Sequence, residues 1–232
     1  ILPSFCASAN EPRFGAGYQT SNVVPELAIV AIPIPEAVVF MGQTLPLPLY
    51  PERMRICVYC SASEAIDEKY VELARALGQA IAKRGWSLVW GGGQVSMMGA
   101  VSRACREAGG RTVGLIPKRL ADIEFADHHA DELHVVDDMR VRKALMDDFS
   151  DAFITLPGGA GTMEEFFEIW VGGTLGFSKK PLVILDPTEF YAPLREFLNH
   201  LEREKFVKPQ QLEALAWTKS IDDALDACIK KI

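Results

Sequence analysis

The stretch Asp151-Ala152-Phe153-Ile154-Thr155-Leu156-Pro157-Gly158-Gly159-Ala160-Gly161-Thr162-Met163-Glu164-Glu165 decides the fold. Its first six residues form a short apolar run, which reads as a buried strand. Pro157 ends that run, and a helix is expected from about 162 to 175. Between strand and helix lie three glycines, so the backbone can approach a ligand without Cβ interference. A helix start reached in this way presents unpaired N–H groups and the positive end of its dipole, a cradle suited to an anion. Thr162 adds a hydroxyl donor. No Lys follows Gly161, so the loop is not a Walker A loop.

The same strand–helix alternation runs outward from this stretch. Strands are expected at 54–60, 86–90, 111–116, 133–136, 151–156 and 181–185, with 214–218 as an edge strand. Helices are expected at 67–84, stopped by Gly85, and at 97–108, stopped by Gly109-Gly110. Further helices fall at 138–150, 162–175, near 188–204 and 221–231, and residues 118–131 read as a loop or short helix. This order implies βαβ units, a parallel sheet and an α/β class with helices on both faces. Ligands of such sheets bind beyond the carboxyl ends of the strands. Two glycine-rich loops lie there, 157–161 and Gly91-Gly92-Gly93. The latter approaches a dinucleotide fingerprint, but the following strand, 111–116, has no acidic residue at its end to hold a ribose.

Composition excludes several classes. The chain has 232 residues, with 24 Lys+Arg against 31 Asp+Glu and a net charge of −7. That balance is wrong for a nucleic-acid binder, which needs a basic footprint. Residues 1–53 differ from the rest: they hold eight of the 14 prolines and only six charged residues. We read 1–53 as a Pro-rich extension of uncertain order and 54–232 as the functional domain. The apolar stretch 23–49 is not read as a membrane span, because Pro25, Pro33, Pro35, Pro46 and Pro48 interrupt any helix there. Five cysteines, an odd number in a chain this long, fit a reducing, cytoplasmic location. Cys57 and Cys60 spell C-x-x-C inside a strand, which puts them on opposite faces. With no second C-x-x-C or His cluster, no metal site is expected. His128 and His129 read as a solvated pair in a polar loop.

Two charged groups remain. Glu164, Glu165 and Glu168 fall in the first turns of the helix after the cradle, where they either pair with the dipole or serve chemistry next to a bound phosphate. A carboxylate beside a phosphorylated sugar can stabilise an oxocarbenium-like state and activate water. Arg140, Arg142 and Lys143 begin the helix 138–150, where cations oppose the dipole. They are therefore either solvated or turned toward an anion.

Gly91-Gly92-Gly93, Met98-Gly99, Gly114-Leu115-Ile116-Pro117-Lys118, Met139-x-x-Arg142-Lys143 and Pro157-Gly158-Gly159-Ala160-Gly161-Thr162-x-x-Glu165 together resemble the LONELY GUY family over about residues 54–205. These are cytokinin riboside 5′-monophosphate phosphoribohydrolases, often mislabelled lysine decarboxylases. The resemblance implies a Rossmann-like doubly wound sheet and at least a homodimer. It implies hydrolysis of the N-glycosidic bond of N6-modified AMP, with a small-molecule nucleotide as partner and no cofactor. Carried over by motif, Arg142 and Glu165 form the catalytic pair. Gly158, Gly159, Gly161 and Thr162 hold the phosphate, Lys143 faces the phosphate or the nucleotide, and Gly92, Gly93 and Ser61 line the nucleotide site. The chain departs from the family at Ser61-Ala62-Ser63, where Gly-Ser-Ser is common, and at Ser96-Met97, where Gly-Leu is common. Two other readings stand beside this one. A non-catalytic nucleotide carrier on the same fold needs only the glycine cradles. A pyridoxal-phosphate decarboxylase needs a Schiff-base lysine, for which Lys118 and Lys143 are the only candidates near the motifs.

Overall fold

The computed structural model describes residues 37–40, 43–46, 54–121 and 126–230. Within the extension, β1 (Ala37–Phe40) and β2 (Gln43–Pro46) pair as an antiparallel ladder. The rest of 1–53, with the order expected for it, lies outside the described residues.

From Met54 the strands and helices alternate as expected. The order is β3 (Arg55–Tyr59), α1 (Glu68–Lys83), β4 (Ser87–Trp90), α2 (Ser96–Glu107), β5 (Thr112–Pro117), α3 (Lys118–Ala121) and β6 (Glu132–Val136). There follow α4 (Met139–Asp148), β7 (Ala152–Thr155), α5 (Ala160–Thr174), β8 (Leu182–Leu185), α6 (Ala192–Arg203), α7 (Pro209–Glu213), β9 (Leu215–Thr218) and α8 (Ile221–Cys228). The seven strands from β3 onward form one parallel sheet in the order β6-β5-β4-β3-β7-β8-β9. This is the expected Rossmann-like doubly wound architecture. The chain winds outward from β3 through β4, β5 and β6, then returns to the other side of β3. Strand order therefore reverses between β3 and β7, the point where such sheets open a crevice.

The inner strands β3, β4, β5, β7 and β8 are buried on both faces, which is why these segments read as apolar runs, while the edge strands β6 and β9 are only partly buried. On β3, Ile56, Val58 and Cys60 join a core built with Leu77 and Ile81 of α1, Met97 and Val101 of α2, and Leu225 of α8. Cys57 and Tyr59 join the opposite core with Leu145 of α4, Phe166 and Trp170 of α5, and Leu198 of α6. The two cysteines of the C-x-x-C thus lie in different layers, as the strand period requires.

Local differences have local causes. The helix expected near 188–204 begins at Ala192, because the Asp186 carboxylate accepts from the backbone N–H groups of Phe190 and Tyr191 and holds 186–191 as a turn. α7 was not foreseen: at five residues it is too short to show a period. Helix α5 starts two residues earlier than expected, at Ala160, with Gly159 as its N-cap.

Candidate active site

The site lies beyond the carboxyl ends of β3, β4 and β7. It is built by two helices that each bury one charged residue. Arg142 shares a face of α4 with Leu145 and Met146, at the i, i+3, i+4 spacing that points all three inward. Glu165 shares a face of α5 with Thr162 and Phe166 by the same spacing. Arg142 and Glu165 are both 8% exposed. The helices bring them together, with Arg142 Nη2 3.5 Å from Glu165 Oε1. Asp138 caps α4, accepting from Arg140 N at 2.7 Å and Val141 N at 3.0 Å, and so offsets the cost of cations at a helix start.

The pair is under-satisfied. The Arg142 Nε is buried without a partner, and its Nη1 reaches only the Met139 sulfur at 3.6 Å. A buried donor left unpaired costs about 1–3 kcal/mol, and such groups concentrate where a ligand or a reaction needs them. Burial pushes the Glu165 carboxyl up to about 7. Arg142 and Lys143 pull it down, while Glu164 and Glu168 push it further up. Glu165 therefore changes charge near neutrality, as a group that handles protons must.

The cradle is adjacent. Gly159, Ala160 and Gly161 are exposed, and no side chain caps the start of α5. Gly158 is pressed against Thr162: a Cβ at 158 would lie 2.2 Å from Thr162 Oγ1, so only glycine lets the turn close over that hydroxyl. From behind, the Tyr191 hydroxyl donates to the Leu156 carbonyl at 2.8 Å. Asp186 fixes Tyr191 in turn, so the cradle is braced from β8. The local motif shows neither residue. The available signal was an acidic residue at the carboxyl end of a strand, in Leu185-Asp186-Pro187.

The second glycine loop follows the carboxyl end of β4. Gly92, at φ +74°, gives its carbonyl to Asp127 N at 2.9 Å, and the Gly93 carbonyl accepts from Trp90 Nε1 at 3.0 Å. Both are occupied in holding the loop. Buried Asp127 is itself held by Ser102 and Arg106. Gly91, part of the glycine loop but not given a site role from the sequence, faces the catalytic candidates: a Cβ there would fall 1.9 Å from Arg142 Nη2. Gly91→Ala is expected to displace the guanidinium and cut turnover roughly tenfold or more while the protein still melts cooperatively. Steady-state kinetics with thermal melting checks this. Ser61 is half-buried at the end of β3 and accepts from Ser63 N at 3.0 Å. Ser96 takes φ +48°, and its hydroxyl donates to the Ser63 carbonyl at 2.5 Å, tying the two loops together. Ser96 stands where the resembled family commonly has glycine, which that φ favours.

Lys143 was expected to face the phosphate or the nucleotide, and its ammonium pairs with both Glu164 and Glu168. Between α4 and α5 a cleft of about 400 Å³ opens from Tyr59, Lys143 and Glu165 toward Ile169, Leu175 and Phe177. The nearby thiols are not reactive: burial first, then the charge of Glu165, raises Cys57 and Cys60 above their ordinary range. Cys57, Cys60, Cys105 and Cys228 are all free. His128 and His129 are exposed, as expected. Among the described residues no group of three or more His, Cys, Asp or Glu is placed to hold a metal, and no helix is long and apolar enough to cross a membrane.

Several known proteins are similar to this chain. A family profile described as "Possible lysine decarboxylase" matches residues 98–228. A Mycobacterium tuberculosis protein named cytokinin riboside 5′-monophosphate phosphoribohydrolase is 52% identical over 173 residues, 75% of this chain and 92% of that protein. A Rhodococcoides fascians protein of the same name is 42% identical over 178 residues, 76% and 90% of the two chains. Among solved structures, the molybdenum cofactor carrier protein of Chlamydomonas reinhardtii superposes with a TM-score of 0.56 at 23% identity, covering 76% of this chain and 96% of that one. At that identity the likeness concerns the fold alone.

Proposed function

Because the chain belongs to the family of cytokinin riboside 5′-monophosphate phosphoribohydrolases, we propose that it hydrolyses the N-glycosidic bond of N6-modified adenosine 5′-monophosphates. The products are the free base and ribose 5-phosphate. The observation that carries this reading is the buried Arg142–Glu165 pair at 3.5 Å beside an uncapped helix start.

The steps follow from the residues. The 5′-phosphate is held by the amides of Gly158, Gly159 and Gly161 and the Thr162 hydroxyl. Ser61, Gly92 and Gly93 shape the far side of the nucleotide. The base and its N6 substituent take the cleft, whose outer wall is apolar at Ile169, Leu175 and Phe177. As the C1′–N9 bond lengthens, positive charge grows on the ribose ring, and the Glu165 carboxylate stabilises it. Water adds at C1′ and passes its proton to Glu165, which returns it to the departing base. Arg142 keeps Glu165 ionised through this sequence. The catalytic unit is 54–232, in a cytoplasmic setting that suits four free thiols. Val171, Leu175 and Phe177 are 47%, 64% and 83% exposed, an apolar strip through which two copies associate, measurable by sedimentation equilibrium.

A carrier has no use for a buried carboxylate poised near neutrality beside its ligand's phosphate. The decarboxylase description does not transfer either. A Schiff-base lysine must lose its proton, and Lys143 is held charged by two carboxylates, while Lys118 is exposed at the start of α3.

The pH profile tests the mechanism. Glu165 must be ionised to act, and its carboxyl stands at about 7. kcat/KM is therefore expected to fall on the acid side with a midpoint near 7 and to reach its plateau above pH 8. A flat profile between pH 5 and 8 contradicts Glu165 as the acting carboxylate.

A further inference from the structure

The family motif places Lys143 beside Arg142, and the structure gives its ammonium two partners. Glu164 and Glu168 are four residues apart on α5 and so share one face of that helix. Lys143 reaches both, and its side chain is 15% exposed against 53% and 50% for the two glutamates. The cleft separates the two helices here, with Ala144 and Asp147 of α4 on one wall and Ile169 and Gly172 of α5 on the other. Across the cleft mouth the charged side chains of Lys143, Glu164 and Glu168 bridge the two helices, while Leu145, Met146, Phe166 and Trp170 pack in one core beneath. At the far end of α4, Lys180 beyond α5 donates to the Asp147 carbonyl at 2.6 Å and to its carboxylate at 2.8 Å. The Arg142–Glu165 pair sits within this frame.

We propose that Lys143 is a positioning residue: its ammonium clamps Glu164 and Glu168, sets the spacing of α4 and α5, and so fixes Glu165 against Arg142. This rests on the phosphoribohydrolase reading for its kinetic consequence, but not for its structural one. A lysine whose donors are engaged by two carboxylates is not a free ligand for phosphate. The clamp also sets the charge around Glu165. Arg142 and Lys143 face it from α4, and Glu164 and Glu168 flank it on α5. Tyr59, Cys57 and Cys60 face it from β3 and stay protonated because burial raises all three. Two cations and two further anions thus surround one carboxylate. Removing Lys143 and removing either flanking glutamate must move its titration in opposite directions.

The test compares K143M and K143Q with E164Q and E168Q in the full chain. Three quantities are read: the acid limb of kcat/KM, the pH dependence of the melting temperature, and competitive inhibition by inorganic phosphate. The lysine variants are expected to lose roughly tenfold in kcat and to move the acid limb up by about one pH unit. E164Q and E168Q move it down. The inhibition constant for phosphate stays within about twofold throughout. The melting curves show the same opposed shifts without turnover, so they still decide the clamp if the wild-type chain releases no base. In that case the functional reading falls and the clamp is judged alone. Weakening of phosphate inhibition by tenfold or more in K143M, with the acid limb unmoved, makes Lys143 a phosphate ligand and overturns the proposal. So do shifts of the same sign in the lysine and glutamate variants. If K143M does not fold, K143Q and the exposed E164Q carry the comparison.

Discussion

Glu165→Gln is expected to lower base release by roughly 10³-fold or more while nucleotide binding survives. Gln keeps the size and planar end of the side chain beside Arg142, so the cradle and α5 stay in place. It cannot carry negative charge toward the ribose or take a proton from water. The same variant should gain stability at alkaline pH. The carboxyl of Glu165 stands at about 7 in the fold against an ordinary value of 4.5, because burial disfavours the ion. A group raised in this way contributes stability that is fully present below pH 4.5 and is lost as pH rises through 7. The loss is of the order of 3 kcal/mol by pH 8.5. Wild type is therefore expected to melt lower at pH 8.5 than at pH 5.5 through this group, and Glu165→Gln to remove that difference. Activity assays and melting curves on one preparation read both effects. Retained turnover removes Glu165 from the chemistry. An unchanged pH dependence of melting removes the buried ion as the source of strain.

Arg142→Ala should cost roughly 10²–10³-fold in kcat/KM at pH 7. Two losses combine. The guanidinium no longer orients Glu165, and the buried carboxylate loses the charge that lowers its pKa. The acid limb must then move upward, so part of the activity should return as pH rises toward 9. Arg142→Lys should lie between wild type and alanine: it keeps charge but not the planar guanidinium. An Arg142→Ala variant with unaltered kcat/KM and an unmoved limb places Arg142 outside the site. If activity is lost at every pH without recovery, Arg142 acts on the substrate itself and not through Glu165.

The fold was legible because its inner strands are buried on both faces. Ser87–Trp90 and Leu182–Leu185 read as short apolar runs, and glycine stops such as Gly85, at φ +71°, mark the helix ends between them. The catalytic candidates were legible for a different reason: Arg142 and Glu165 stand in the motifs Met139-x-x-Arg142-Lys143 and Pro157-Gly158-Gly159-Ala160-Gly161-Thr162-x-x-Glu165 that carry the family resemblance. The supports were not legible. Gly91 acts through a contact with Arg142, 51 positions away, and Asp186 through a turn that holds Tyr191 under the cradle. Lys143 was read as facing the phosphate or the nucleotide because cations and phosphates attract. Its pairing with two glutamates depends on how far α4 stands from α5, which no local pattern records.

The most direct measurement is to incubate the protein with N6-isopentenyl-AMP and with AMP and to quantify free base and ribose 5-phosphate together. Hydrolysis at C1′ predicts the two products in equal amounts, formed without added cofactor and absent with Glu165→Gln. Recovery of intact nucleotide bound to the protein, or release of inorganic phosphate with the nucleoside left whole, contradicts it.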